Sequence, residues 1–123
     1  MAEDIRDRAE PNAVLDKAVL SVLDRLQLRQ AELSAILGLS PAAVSRAVRT
    51  GIFATVGKSR EHQVLLVRLD RALDSIVGGD DAVAAAWLRN DNVALGAAPI
   101  ERMKHSAGLV DVLAYLDSRR API

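Results

Sequence analysis

Residues able to act as acids, nucleophiles or metal ligands are sparse in this sequence, and their spacing does not gather them. The two histidines, His62 and His105, lie far apart, and there is no cysteine. Disulfides, thiolate metal sites and cysteine nucleophiles are thereby excluded, and a zinc site lacks ligands. Ser106 adjoins His105, but adjacent residues on a helix or turn point apart and form no nucleophile–base pair. Asp80, Asp81 and Asp91 offer carboxylates to a cation, yet they fall where helix caps and turn residues are expected. Trp87, the only tryptophan, suits a core position at the end of its helix better than a binding anchor. No catalytic or metal constellation and no cofactor site emerges, so the sequence predicts a protein that is not an enzyme.

A different chemistry is suggested by "LGLSPAAVSRAVRTG", residues 37–51. Here Gly38 can close one helix in the left-handed conformation, Ser40 can cap the next, and Pro41 fits its first position, where a missing N–H costs nothing. Counted from Gln30, Ser34 is the small residue that a helix crossing needs, and Gly38 falls in the turn. Leu33, Leu37, Leu39, Val44 and Ala47 occupy the inward positions. That pattern predicts a helix-turn-helix, whose second helix reads bases with residues near its N-terminal end. Those residues are Ser40, Ala42, Ala43, Ser45 and Arg46, with Arg49 one turn on. Arg46 suits a bidentate contact with guanine, Ser45 a base or a phosphate, and the alanines only a thymine methyl. A single small unit binds weakly, so a specific site implies a dimer on paired half-sites.

The charge distribution agrees. The formal net charge is zero, but residues 25–60 carry Arg25, Arg29, Arg46, Arg49, Lys58 and Arg60 against Glu32 alone. The stretches on either side are net acidic. A basic window inside a neutral chain is expected to serve contact with phosphates.

The elements that position these residues are all helical. Alanine is abundant and aromatic residues make up 2% of the chain, which favours helices over a β core. After a mobile start, Asn12 is expected to cap a helix reaching about Gln27, with Leu15, Val19, Val22 and Leu26 on one stripe. Helices over about 30–37 and 41–50 follow, and residues 52–60 form a link. A longer helix from about Arg60 shows Leu65, Leu69, Ala72, Leu73 and Ile76 on one face and ends at Gly78-Gly79. Asp80 or Asp81 caps an alanine-rich helix through Leu88, "RNDN" breaks the chain, and Pro99 opens a short helix. Gly108 punctuates before a last helix with Leu109, Val112, Leu113 and Leu116. In all, about seven helices are expected in a chain of 123 residues, enough for one domain or two very small ones. The start is charged and no apolar run approaches a membrane span, so a cytoplasmic protein is expected.

The second half has a recognisable order of residues: "AWLRNDNVALGAAPIERMKHSAGLVDVLAYL", residues 86–116. A tryptophan-leucine pair precedes a polar loop with Asn92, then Leu95-Gly96, Pro99, Gly108 and a closing helix with Val112 and Leu116. This resembles the C-terminal toxin-binding domain of the Xre/MbcA/ParS antitoxins, the partners of RES-domain toxins. That family carries an Xre-like helix-turn-helix upstream, as here, so the likeness covers roughly residues 13–120. The resemblance implies an antitoxin that neutralises a toxin consuming NAD, or transferring ADP-ribose from it, by blocking its NAD pocket. It also implies repression of its own operon. Carried onto this chain, the toxin-binding residues are Trp87, Asn92, Leu95, Pro99, Arg102, Lys104, Arg119, Arg120 and Ile123. "GAAPIERM" stands where the family often shows a second glycine and a leucine-rich run.

The resulting expectation is an all-α protein: a mobile N-terminus over 1–12, an Xre-like helix-turn-helix domain over 13–57, and a helical toxin-binding and dimerisation domain over 58–123. The expected partners are a cognate RES-domain toxin, operator DNA and a second copy, with a larger hetero-oligomer forming with the toxin. The alanine-rich helix 81–88 and the stripe of Leu109, Val112, Leu113 and Leu116 are candidates for packing on that second copy. The alternative is a free-standing repressor whose second half dimerises or senses a ligand. A third option is an adaptor whose helix-turn-helix does not touch DNA.

Overall fold

The computed structural model describes residues 2–54 and 57–120, with side chains from Asn12 onward. Seven helices follow in order: α1 (Ala2–Arg25), α2 (Gln30–Leu37), α3 (Pro41–Thr50), α4 (Lys58–Val77), α5 (Asp81–Arg89), α6 (Pro99–Met103) and α7 (Ser106–Arg120). Among the described residues the only extended pairing is an isolated antiparallel bridge between Asn92 and Ala97. The all-α expectation and its seven elements hold.

Local chemistry sets the end of α2 and the starts of α3 and α5 where the sequence placed them. Gly38 adopts φ 68°, and the Leu39 N–H reaches the Ser34 carbonyl at 3.1 Å, which closes α2. The Ser34 hydroxyl donates to the Leu39 carbonyl and locks the turn. Ser40 Oγ then accepts from the Ala43 N–H at 3.1 Å and starts α3 behind Pro41. Asp80 caps α5 in the same way, accepting from the Val83 N–H at 3.1 Å.

The long helix α4 is the centre of the molecule and packs against α1, α2, α5 and α7. The α3 helix leans on α2, while α6 fills the space between α5 and α7. One continuous core results, running from Val19, Leu33 and Ala47 through Leu66 and Leu73 to Met103, Leu109 and Leu116.

Four expectations need correction. The backbone of α1 is helical from Ala2 rather than from Asn12. Alanine, glutamate and arginine are strong helix formers, and they carry the helix past Pro11, which removes one ladder donor. Ile76 is exposed instead of facing inward; the buried side of α4 turns through His62, Gln63, Leu66, Val67, Leu69 and Asp70. Gly108 lies within α7, not before it. A Cβ there would stand 2.0 Å from the Arg102 carbonyl oxygen, so its lack of a side chain is what lets α6 and α7 close. Finally, Leu109, Val112, Leu113 and Leu116 are buried in this chain's own core, which leaves no such stripe for a second copy.

Three buried carboxylates hold these helices together, each with an arginine partner. Asp16 of α1 accepts from Arg60 at 2.8 Å, from Gln63 at 3.1 Å and from the Phe53 N–H at 3.1 Å. Asp70 of α4 pairs with Arg25, which also reaches Asp81 at 3.5 Å. Glu32 of α2 accepts both terminal nitrogens of Arg89 at 2.9 and 2.8 Å, and the Arg29 N–H at 2.8 Å. The Arg89 guanidinium holds the Glu32 carboxyl down to about 2, well below its usual 4.5. Arg89 also donates to the Gln27 carbonyl at 3.0 Å, steadying a turn in which Gln27 takes φ 55°.

Candidate functional site

The first surface is the outer face of α3. Val44 and Ala47 face the core, which turns Ser40, Ala42, Ser45, Arg46 and Arg49 to the exterior and leaves Ala43 half-buried. Arg46 and Arg49 form no ion pair among the described residues. The wider basic window is weaker than its sequence suggests. Arg25 and Arg60 are spent on buried aspartates more than forty residues away in sequence. The cations left on this side are Arg29, Arg46, Arg49 and Lys58, so the positive charge concentrates around α2 and α3 rather than across 25–60.

The second surface lies where α4, α5 and α7 meet. Trp87 and Tyr115 stack with ring centroids 6.3 Å apart and planes 18° from parallel. The Arg119 guanidinium sits 5.0 Å above the Tyr115 ring. These side chains, with Leu73, Ile76 and Leu116, line a groove of about 200 Å³. Trp87 is therefore half core and half surface, which is more than a plain core residue. Ile76, turned away from the interior, is explained by the same groove.

The remaining sequence candidates sit elsewhere and play varied parts. Asn92 brackets a tight loop: its side chain and carbonyl both accept from the Leu95 N–H at 3.2 Å, and its N–H meets the Ala97 carbonyl at 3.2 Å. The loop holds Val93 at its tip, 100% exposed. Leu95 is half-buried against the core, and Pro99 is buried at the start of α6. Arg102 pairs with Asp111, Lys104 with Glu101 at 3.0 Å, and Arg120 with Asp117 at 3.4 Å. Ile123 lies outside the described residues.

Neither Tyr115 nor Val93 is among the toxin-binding residues that the resemblance singles out. Tyr115 was one polar-looking position among leucines, although its four-residue spacing from Arg119 is the signature of a side-chain pair on a helix. Another unforeseen pair is His62 with Ser106, 3.2 Å apart between Nε2 and Oγ. His62 Nδ1 lies 3.0 Å from the Ile36 carbonyl, so the Nδ1–H tautomer satisfies both contacts. A backbone carbonyl, not a carboxylate, stands behind this buried ring, and the pair ties α2, α4 and α7 together.

Residues 5–68 match the model of the antitoxin Xre-like helix-turn-helix domain. The chain belongs to this antitoxin family. Residues 72–121 match the antitoxin Xre/MbcA/ParS C-terminal toxin-binding domain. No curated protein matches the chain in sequence. This Xre-type antitoxin thus joins a helix-turn-helix to a toxin-binding domain, and a toxin is its partner in kind. The two matched stretches meet inside α4, which packs on both sides. The stacked Trp87–Tyr115 groove falls wholly within the toxin-binding stretch, and α3 within the other. No described helix is long and apolar enough to cross a membrane.

Proposed function

We propose that this antitoxin neutralises a RES-domain toxin, one that consumes NAD or transfers ADP-ribose from it, by covering the toxin's NAD pocket with its C-terminal region. The observation that carries this reading is the groove built by Trp87, Tyr115 and Arg119. A rigid aromatic pair with an arginine fixed above it has the composition of an interface hot spot. Arg119 is already held in place, so little side-chain freedom is lost when it meets an acidic or phosphate-binding feature. The ordered loop behind Asn92 offers Val93 as a further apolar contact, and Arg102, Lys104 and Arg120 supply polar contacts.

In the same reading α3 enters the major groove of operator DNA. Arg46 reads guanine, and Ser40, Ser45 and Arg49 hold bases or phosphates. The work divides at the link after α3: residues 13–57 address DNA, and residues 58–123 address the toxin and a second copy. The antitoxin acts as a homodimer and forms a larger hetero-oligomer with the toxin.

The test is co-expression with the toxin encoded in the adjacent reading frame, followed by affinity purification and measurement of NAD in the cells. A stoichiometric complex and preserved NAD are expected. Trp87→Ala is expected to weaken toxin binding by about 30- to 300-fold, the range of a hot-spot residue, with operator binding unchanged. Recovery of the protein with operator DNA but no toxin would remove this reading in favour of a free-standing repressor.

A further inference from the structure

The loop between α5 and α6 carries the most exposed large apolar side chain among the described residues. Val93 is 100% exposed, and the next such side chain reaches 66%. The loop that holds it is braced. The Asn92 carbonyl accepts from the Gly96 N–H at 2.9 Å, and the Val93 carbonyl shares that N–H at 3.3 Å. Asn92 Oδ1 accepts from the Leu95 N–H at 3.2 Å, and the Asn92 N–H meets the Ala97 carbonyl at 3.2 Å. Leu95 packs on the core and anchors the loop, and Gly96 closes it at φ 77°. These bonds keep Val93 at the tip instead of letting it fold back, so its methyls stay in water.

Asp91 is the single charged residue between Arg89 and Glu101. It is exposed and forms no ion pair among the described residues. Arg102, Lys104 and Arg120, in contrast, each pair with an acid of this chain. Asp91, Asn92, Val93, Gly96 and Ala97 line one shallow hollow of about 260 Å³. An apolar knob beside an unpaired carboxylate is complementary to an apolar socket with a cation at its border. The whole loop falls within the stretch that matches the toxin-binding domain, which makes the toxin its occupant.

We propose that Val93 enters an apolar socket on the toxin, bordered by a lysine or arginine that faces Asp91. Asn92 and Leu95 are positioning residues: they hold the knob in place and do not touch the toxin. This contact rests on the toxin-binding reading above, whatever reaction the toxin carries out. Because the loop is ordered before binding, Val93 loses little conformational freedom when it docks.

The test is titration of the full chain with the toxin encoded in the adjacent reading frame, at about 50 and 500 mM salt. Circular dichroism checks the fold and Tm of each variant. Val93→Ala withdraws two methyl groups from the socket and is expected to raise Kd about 10-fold with Tm unchanged. Asp91→Asn is expected to slow association about threefold at low salt and to have no effect at high salt. Asn92→Ala frees the loop and is expected to raise Kd about fivefold. Asn92→Asp keeps an acceptor for the Leu95 N–H and is expected to stay within about twofold of wild type at high salt, where its added charge is screened. In the Val93→Ala background Asn92→Ala is expected to add nothing further, which a merely structural role would not produce.

A complex whose Kd ignores Val93→Ala overturns the socket and leaves the toxin-binding reading standing. A wild-type chain that binds no toxin overturns both. If Val93→Ala changes self-association of the chain alone and not its toxin affinity, the knob serves a second copy and the proposal falls. Equal Kd for Asn92→Ala and wild type removes the positioning role.

Discussion

The α3 helix carries its proposed DNA-facing residues along one element whose own caps and glycines define it, whereas the aromatic groove exists only because three helices converge. Ser40, Ser45, Arg46 and Arg49 are neighbours in sequence and stay neighbours in space. Trp87 and Tyr115 are separated by the bracketed loop, α6 and the turn into α7, and they meet because α4 gives α5 and α7 a common support. A recognition helix of this kind is tuned by side-chain identity alone. A converging groove is tuned by packing as well, so substitutions far from it can change it.

That contrast can be broken or sharpened at three places. The largest effect is expected from Gly108→Ala, since the new Cβ would collide with the Arg102 carbonyl and push α6 from α7. A loss of about 3 kcal/mol, or about 12 °C in Tm, is expected by thermal melting. Because one core spans both halves, operator binding is expected to fall in the same transition as toxin binding. Survival of DNA binding after the second half has melted would show that the halves fold independently.

Next is Arg89→Met, which removes the clasp between α5 and α2 and leaves Glu32 buried with only the Arg29 N–H. About 2 kcal/mol of stability, or about 8 °C in Tm, is expected to go. The pH dependence follows from the direction of the Glu32 shift. Its folded value of about 2 lies below the usual 4.5, so the stabilisation is complete above about pH 4.5 and is lost as pH falls from there towards 2. Acid melts of the variant are expected to be flatter over that window; an equal slope in both proteins would remove Glu32 as the source.

The smallest effect is expected from Arg46→Ala, which alters α3 without touching the core. Operator affinity is expected to drop by about 1–2 kcal/mol in a fluorescence titration, with Tm and toxin binding unchanged. If affinity falls equally for all DNA sequences, Arg46 holds a phosphate rather than a base.

The comparison also explains which parts of the molecule were legible beforehand. The helix-turn-helix was readable because Gly38, Ser40 and Pro41 act on their immediate neighbours. The basic window misled because charge counted along a chain ignores partners brought from afar: Asp70 takes Arg25, and Asp16 takes Arg60. The stripe of Leu109, Val112, Leu113 and Leu116 was correctly seen as apolar, but its destination was not visible. Amphipathic spacing says that a face will be covered and not by what.

By itself the sequence determined the succession of helices, the caps of α3 and α5, the outward face of α3 and the order of the two antitoxin domains. Each of these depends on interactions within three or four residues, or on a linear pattern. Only the tertiary structure decided that α4 would serve both halves and that Trp87 would stack on Tyr115. It also decided that Gly108 would admit a carbonyl. Those outcomes depend on how helices cross, and crossing geometry comes from the fit of many distant side chains, which no local spacing contains.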